Sequence, residues 1–235
     1  MSIQSTAILP AAGSGTRLPG FRSKQFLRIG DRPILAHTLK AFEQCDQVDE
    51  VIVVVARKDL QVYSEEIIDR YSFAKVRQVV VGGAHRQESV YKGLRAVEPT
   101  TDFVVIHDGV RPFITPEQIA ASIEACRAYG AVITAVPVKD TITMVRDGVV
   151  LHTPPRETLW AVQTPQTFAL SLILNAHEKA RSEGVQATDD AALVERLGHP
   201  VHILQGSYEN IKITTPEDLA LAEVLLSQRG ARAPS

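Results

Sequence analysis

Short, almost uninterrupted apolar runs alternate along the chain with segments of helical periodicity. Each of these runs is rich in β-branched residues and predicts a strand. They are residues 6–10, 51–55, 76–81, 103–107, 131–136 and 211–214. The first, second and fourth runs lack the apolar and polar alternation of a half-exposed strand, so we expect parallel strands that are covered on both faces.

Amphipathic segments lie between the predicted strands. Residues 33–43 and 86–97 carry apolar side chains at helical spacing. Thr115-Pro116-Glu117-Gln118 has the pattern of a capping box with proline at the first helical position, and residues 215–218 nearly repeat it. This alternation predicts an α/β fold with a mostly parallel, doubly wound sheet, in which ligands bind beyond the carboxyl ends of the strands.

One stretch departs from this alternation. Residues 141–145 and 149–152 flank Asp147-Gly148, which is a strong signal for a β-hairpin turn. A two-stranded hairpin is marginally stable alone in water, so it needs a surface to pack on. It can fold back on its own sheet or extend to another subunit, and we favour the second. We therefore expect one domain over residues 1–235, with residues 139–159 as a protruding β-hairpin arm.

Composition narrows the class of protein. The chain has 235 residues, 25 Lys and Arg against 27 Asp and Glu, and a net charge of −2. This balance argues against nucleic acid as the main partner, because such binders usually carry a strongly basic face. Cys45 and Cys126 show no metal-binding spacing, and no apolar run is long enough to cross a membrane. No basic residue precedes Arg17, so the N-terminal segment lacks the charged start of a secretory signal. We expect a cytoplasmic protein with two reduced cysteines.

The first predicted strand runs into a loop of small residues, 10–18, with glycine at positions 13 and 15. Such a loop lets backbone N–H groups approach an anion, although a plain tight turn would have the same composition. It lacks the glycine spacing of a dinucleotide-binding loop, the Lys of a Walker A loop and the pattern of a hydrolase nucleophile elbow. Arg17 and Lys24 follow closely, and a triphosphate between them would balance their charge. The alternative is two solvated surface cations.

Asp108 stands at the end of the fourth predicted strand, where a carboxylate can bind Mg²⁺ that bridges phosphates. A turn-capping role is the alternative for Asp108, and we expect the neighbouring His107 to be a packed histidine without a catalytic role.

Three further positions attract attention. Gly82 opens a second glycine-rich loop that would bring Ser89 near a nucleotide base, although paired glycines are also common in plain turns. Lys212 lies between two isoleucines, so it either reaches a site or extends to solvent at a sheet edge. His199 and His202 have a spacing that suggests a metal, but surface and strand positions explain them better.

Five ordered motifs together resemble one enzyme family. They are residues 10–17 with Lys24-Gln25, residues 82–90, 107–112, 159–166 and 210–214. Over nearly the whole chain they are similar to the 2-C-methyl-D-erythritol 4-phosphate cytidylyltransferase family, which makes CDP-methylerythritol in the non-mevalonate isoprenoid pathway. The resemblance implies a Rossmann-like nucleotidyltransferase fold, Mg²⁺ dependence, CTP and methylerythritol phosphate as substrates, and a homodimer joined by the hairpin arm.

The resemblance also implies roles for individual residues. Arg17 and Lys24 would be catalytic, and with Gly13 they would hold the triphosphate. Asp108 would bind the metal. The cytidine would be faced by Ala11, Ala12, Gly82 and Ser89. The methylerythritol phosphate would be held by Arg111, Thr141, Arg156, Thr164 and Lys212, of which Thr141 and Arg156 would come from the partner subunit.

Some positions depart from the family pattern. Ser23 stands where the family usually has proline, and Ala84 stands where an acidic residue often follows the glycines. A phosphate monoester is largely a dianion at neutral pH, so the implied reaction needs no general base, which agrees with the lack of a nucleophilic triad motif. Two other interpretations stay open: a ribitol 5-phosphate cytidylyltransferase, and a nucleotide-binding regulatory module without turnover.

Overall fold

The computed structural model describes residues 4–13 and 23–232. A central seven-stranded sheet forms its middle layer, and two short two-stranded pairs accompany it. The strands are β1 (Ser5–Ala11), β2 (Arg28–Ile29), β3 (Arg32–Pro33), β4 (Glu50–Val55), β5 (Val76–Val81), β6 (Phe103–Ile106), β7 (Ala131–Pro137), β8 (Met144–Arg146), β9 (Val149–His152), β10 (Trp160–Ala169) and β11 (His202–Gln205).

Helices cover both faces of this sheet. They are α1 (Ile34–Glu43), α2 (Leu60–Tyr63), α3 (Asp69–Tyr71), α4 (Arg86–Leu94), α5 (Pro116–Tyr129), α6 (Leu170–Ser182), α7 (Ala191–Glu195) and α8 (Pro216–Arg232). A π-helical turn, Ser64–Ile68, joins α2 to α3, and single 3-10 turns span Lys24–Phe26, Arg57–Asp59 and Arg156–Thr158. Across the described ranges 4–13 and 23–232, no helix is both long and apolar enough to span a membrane.

The strand order in the central sheet is β11-β7-β10-β6-β1-β4-β5. All pairs are parallel except those of β10, which runs antiparallel to both β6 and β7. The mostly parallel, doubly wound α/β sheet predicted from the sequence is therefore confirmed.

The strands predicted from uninterrupted apolar runs are apolar throughout because alternate residues pack into two different cores, one on each face of the sheet. Leu9 and Val53 pack on one face with helices α1 and α5. Ile8 and Ile52 pack on the other face with helices α4, α6 and α7. A strand with a covered layer on each side has no polar face, which is why these runs do not alternate.

The two predicted capping motifs both begin helices. The Thr115 hydroxyl accepts a hydrogen bond from the Gln118 N–H, and the Gln118 side chain accepts from the Thr115 N–H. At the start of α8, Thr215 and Asp218 exchange the same pair of bonds. Because α8 packs on β2 through a small third apolar cluster, this cap fixes the segment that precedes the helix.

The prediction of a strand at residues 211–214 is wrong. This segment has no ladder partner among the described strands, and its backbone bond to a distant part of the chain runs from the Ile213 N–H to the Val110 carbonyl, at 2.9 Å. Its alternation has another cause. Ile213 is fully buried in the third apolar cluster with Phe113 and Ala222, whereas the neighbouring Lys212 points elsewhere.

Strand β10 is the longest in the sheet, and the sequence pattern did not predict it. Its central residues are polar and include Pro165, which usually argues against an interior strand. Its register shifts between Val162 and Gln166, so the ladder to β7 is interrupted at the proline. Strand β11, at the sheet edge, was also not predicted.

The predicted hairpin is present as β8 and β9. Asp147 and Gly148 both have positive φ, 52° and 79°, as the predicted two-residue turn requires. The two strands pair only with each other and do not join the central sheet. Both strands are exposed along their whole length.

Candidate active site

A cavity of about 350 Å³ lies at the carboxyl ends of β1 and β6. Its first wall is formed by Pro10 and Ala11 at the end of β1 and by Ala12 and Gly13, which directly follow that strand. Seven of the residues singled out from the sequence line the cavity: Ala11, Ala12, Gly13, Lys24, Ser89, Asp108 and Lys212. They come from five separate segments, so the fold brings these distant motifs together.

Gly82 lies behind the cavity wall. A Cβ at this position would stand 2.6 Å from the Ala12 Cβ and 2.8 Å from the Ser89 Oγ. Glycine is therefore needed here so that the two loops can approach each other. The Ser89 hydroxyl, in the first turn of α4, holds the segment before its own helix, because it accepts from the Gly83 N–H and donates to the His85 carbonyl.

Asp108 is buried at the centre of the charged part of the site. Its Oδ1 accepts from Arg86 Nε at 3.2 Å, and its Oδ2 lies 3.0 Å from Lys212 Nζ and 3.4 Å from Arg111 Nε. Burial alone would raise the pKa of this carboxyl, but Arg86, Lys212 and Arg111 outweigh it and hold the pKa well below its usual range. Asp108 is therefore a carboxylate at any physiological pH.

The backbone of Asp108 is fixed by a chain of hydrogen bonds. Its N–H donates to the Thr164 hydroxyl, the hydroxyl bonds to His107 Nδ1, and His107 Nε2 bonds to the Arg111 carbonyl. If Nε2 carries the proton, Nδ1 accepts from Thr164, so every group in the chain is satisfied. Burial lowers the pKa of His107 to about 4, in agreement with a neutral ring. His107 is thus the packed histidine that the sequence predicted.

Thr164 and Arg111 stand one layer behind the cavity. Both are buried, and neither lines it. Arg111 bonds to the Asn210 carbonyl as well as to Asp108, and Asn210 donates in turn to the Thr164 carbonyl. These contacts hold the Lys212 segment against the end of β6.

Arg86 lies within the motif at residues 82–90, but the sequence did not predict a role for it. Its Nη1 lies 2.6 Å from Asp190 Oδ2, while its Nε bonds to Asp108. Asp190 is almost fully buried and also contacts His177 Nε2 at 3.1 Å. Burial would lower the pKa of Arg86, but Asp190 and Asp108 hold it above its ordinary value. The sequence signal for a role of Arg86 was its position as a cation after a strand and a glycine-rich turn. Its partner Asp190 could not be identified in this way, because it lies far along the chain.

The remaining predicted residues lie elsewhere. Thr141 and Arg156 are exposed at the base of the hairpin arm and do not line the cavity of their own chain. The Arg156 guanidinium donates to the Lys139 carbonyl at 3.1 Å. Arg17 lies outside the described residues.

The charges of the cavity define what it can hold. Lys24, Arg86 and Lys212 line it together with Asp108, the one acidic residue among the described lining residues. Lys212 therefore reaches the site and is not a surface residue at a sheet edge. An excess of positive charge beside a loop of small residues suits a polyphosphate.

A doubly wound α/β sheet with a cationic cavity at its strand ends is the arrangement of an α/β protein that binds a phosphorylated ligand. The family model for IspD, 2-C-methyl-D-erythritol 4-phosphate cytidylyltransferase, matches residues 5–228. The chain belongs to this family.

Individual relatives agree with this assignment. The enzyme of this name from Desulforamulus reducens is 51% identical over 95% of this chain and 96% of its own length, and that from Geotalea uraniireducens is 49% identical over 94% and 96%. The crystal structure of 4-diphosphocytidyl-2C-methyl-D-erythritol synthase from Anaerococcus prevotii has a TM-score of 0.85 at 35% identity and covers 96% of each chain. The chain is thus a cytidylyltransferase that transfers the cytidylyl group of CTP to 2-C-methyl-D-erythritol 4-phosphate in isoprenoid precursor biosynthesis.

Proposed function

We propose that the cavity at the ends of β1 and β6 is the site of cytidylyl transfer, and that the residues around it divide the two substrates between them. The observation that carries this proposal is the convergence of Lys24, Arg86, Asp108 and Lys212 from four distant segments on one cavity. In this arrangement Ala11, Ala12 and Ser89 face the cytidine, and Gly82, which the sequence also assigned to the cytidine, lies behind them and lets Ala12 and Ser89 come together. Gly13, Arg17 and Lys24 hold the triphosphate.

Asp108 is the proposed ligand for a divalent cation, Mg²⁺. Its carboxylate is ionised and lines the cavity, as a metal ligand must. No group of three His, Cys, Asp or Glu side chains comes together anywhere in residues 4–13 and 23–232, so the protein would supply few ligands. This fits Mg²⁺, which commonly takes one or two carboxylates and completes its shell with water and substrate phosphates. Bound there, the ion would neutralise phosphate charge.

The chemical difficulty of the reaction is repulsion. CTP carries about four negative charges and the phosphate monoester nearly two, and both must enter one site. Lys24 and Lys212 offset this charge without a proton transfer, because the attacking oxygen of the monoester is already ionised. Attack in line on the α-phosphorus releases pyrophosphate, and the positive side chains stabilise the charge that develops in the transition state.

The second substrate is proposed to bind at Lys212 of one chain and at Thr141 and Arg156 of another. Arg111 and Thr164, which the sequence assigned to direct contact, lie behind the cavity and would act by holding Asp108 and the segment of Lys212. Lys212 supports the first half, because it lines the cavity. In support of the second half, Thr141 and Arg156 are exposed at the base of an arm that does not pack on its own sheet.

The arm supports a homodimer. Met144, Val145, Val149, Val150 and Leu151 are each more than half exposed on a hairpin of two strands. Several exposed apolar side chains on a structure that is marginal by itself are typical of a subunit contact. We place this dimer in the cytoplasm, in keeping with the two free and buried cysteines.

The test is pyrophosphate release with CTP and, in turn, methylerythritol phosphate, ribitol 5-phosphate or no acceptor, with and without Mg²⁺. We expect turnover only with methylerythritol phosphate, and only when Mg²⁺ is present. Turnover with ribitol 5-phosphate at an equal rate would contradict methylerythritol phosphate as the specific acceptor. Full turnover in the presence of a chelator would remove the metal role of Asp108.

A further inference from the structure

Lys24 stands between two residues that are far more buried than it is. Ser23 and Gln25 are 4% and 1% exposed, whereas Lys24 is only partly buried; Lys24 and Gln25 both line the cavity. The three residues enter the short 3-10 turn Lys24–Phe26, so the direction of the lysine depends on how its neighbours are held. A long, flexible side chain needs such support if its ammonium group is to meet a phosphate repeatedly in one geometry.

One carboxyl group holds both neighbours. The Ser23 hydroxyl donates to Asp59 Oδ2, and Gln25 Nε2 lies 3.5 Å from the same oxygen. Gln25 Nε2 also donates to the carbonyl of Ala11, the last residue of β1, at 2.5 Å. The side chains of the residues on each side of Lys24 therefore attach this segment to the end of β1 and to the 3-10 turn that follows β4.

Asp59 does not have the role that its position in the chain would normally give it. It immediately precedes α2, where an aspartate commonly caps the helix with its side chain. Its carboxyl makes no capping hydrogen bond to that helix. It is 8% exposed and turns toward Ser23 and Gln25 instead.

Burial of a carboxyl group without a helix to cap is costly unless the group makes other hydrogen bonds. In the portion of the chain that the structure describes, the hydrogen bonds of the Asp59 side chain go to the neutral donors of Ser23 and Gln25. We propose that Asp59 is a positioning residue that directs Lys24 into the cavity through Ser23 and Gln25. This inference rests on the proposed role of Lys24 at the triphosphate.

The proposal is tested with a double-mutant cycle made of Asp59→Ala, Lys24→Ala and the double variant. Calorimetric titration with CTP and Mg²⁺ gives the affinity, and steady-state rates give kcat and the KM for each substrate. We expect Asp59→Ala to lower kcat/KM for CTP about tenfold and to leave the KM for methylerythritol phosphate within about twofold. In the Lys24→Ala background the same change should have an effect of less than about twofold, because the residue it positions is gone.

Conservative and matched variants separate positioning from general stability. Ser23→Ala removes one donor and should show a smaller loss in the same direction. Asp59→Asn keeps an acceptor oxygen for Ser23 and should recover most of the activity. Asp49→Ala is the matched control, because Asp49 accepts from the Ser5 N–H at the opposite end of the same two strands. It should leave kcat and both KM values unchanged.

The outcomes are distinguishable. If Lys24→Ala itself leaves CTP binding and turnover unchanged, the role of Lys24 in the proposed function fails. If Lys24→Ala is damaging but the effects of the two changes multiply, Asp59 acts independently and only the positioning inference is overturned. The inference is also overturned if Asp59→Ala lowers the melting temperature without changing kcat/KM for CTP.

Discussion

The Nζ of Lys212 lies 3.0 Å from the Oδ2 of Asp108, although the two residues belong to opposite halves of the chain. Asp108 ends a strand of the sheet, and Lys212 stands on an irregular segment before the last helix. This ion pair brings a cation from the C-terminal region directly onto the carboxylate proposed to bind the metal.

The first prediction concerns this lysine and Lys24. Lys212→Ala and Lys24→Ala should each lower kcat by about 10², because each removes positive charge from a transition state that gathers phosphates. The assay is pyrophosphate release at saturating substrates. Lys179→Ala removes an exposed lysine of α6 outside the cavity and should have no effect. A near-normal rate for either cavity variant contradicts its proposed role.

The second prediction tests whether the arm completes the neighbouring subunit's site. Arg156→Gln alone should raise the KM for methylerythritol phosphate. When this variant is mixed with Lys24→Ala and allowed to exchange subunits, half of the dimers become hybrids with one intact site each. At a methylerythritol phosphate concentration well below the KM of Arg156→Gln, where both parent variants are nearly inactive, activity should then recover to about a quarter of the wild-type value. No recovery on mixing, with hybrids verified by mass spectrometry, would show that Arg156 serves its own chain.

The third prediction follows from the sharing of Arg86 between Asp190 and Asp108. Asp190→Asn removes the closer charge, so Arg86 should pair more strongly with Asp108 and compete with Mg²⁺. We expect the Mg²⁺ concentration for half-maximal rate to rise about tenfold and stability to fall by about 3 kcal/mol. Asp189→Asn, next to it in the chain, should leave the Mg²⁺ dependence unchanged. An unaltered Mg²⁺ dependence in Asp190→Asn would show that Arg86 does not control access to Asp108.

The fourth prediction concerns pH and stability. Because burial lowers the pKa of His107 to about 4, the unfolded chain binds a proton near pH 6.5 that the folded chain does not. The contribution of His107 to the free energy of unfolding is therefore complete above pH 6.5. It is lost as the pH falls toward 4, and the loss is about 3 kcal/mol. Burial also lowers the pKa of His37, so both histidines act in the same direction.

Denaturant unfolding between pH 4 and pH 7 measures this effect. The pH dependence of the unfolding free energy should become shallower in His107→Gln, measured against His37→Gln for comparison. An unchanged slope in His107→Gln would mean that folding does not shift the pKa of this ring.

The fifth prediction separates two glycines that the sequence assigns to the nucleotide. Gly82→Ala should destabilise the fold by about 1–3 kcal/mol, because its Cβ would collide with Ala12 and Ser89. At Gly13 no described atom lies within 4 Å of an added Cβ, and the residue lines the cavity. Gly13→Ala should therefore keep the melting temperature and raise the KM for CTP. Equal melting temperatures for the two variants would contradict this distinction.

Local sequence patterns predicted the parts of the fold that depend on local causes. The runs that became β1, β4 and β6 are apolar because both faces of each strand are covered. The hairpin turn at Asp147-Gly148 follows from the positive φ that these two residues tolerate. The two capping motifs begin α5 and α8 because each contains its own hydrogen-bond partners.

Other features depend on partners that a local pattern does not show. Strand β10 reads as polar because Gln163, Thr164 and Gln166 form hydrogen bonds with residues from other segments, such as Asn210 and Asp189. The burial of Ile213 next to Lys212 gave residues 211–214 the apolar and polar alternation of a strand, although the segment is irregular. Likewise, the glycine-led loops indicated a phosphate site, but nothing near Arg86 in the sequence pointed to Asp190.

The backbone bond between Ile213 and Val110 ties the approach to the last helix to the loop after β6. As a result, the complete set of cationic groups exists only when both ends of the chain have folded together. Nucleotide binding is therefore thermodynamically linked to folding of the whole chain. We expect saturation with CTP to raise the melting temperature of the protein as a single unit. Loss of the final helix would weaken nucleotide affinity even though none of its side chains lines the cavity.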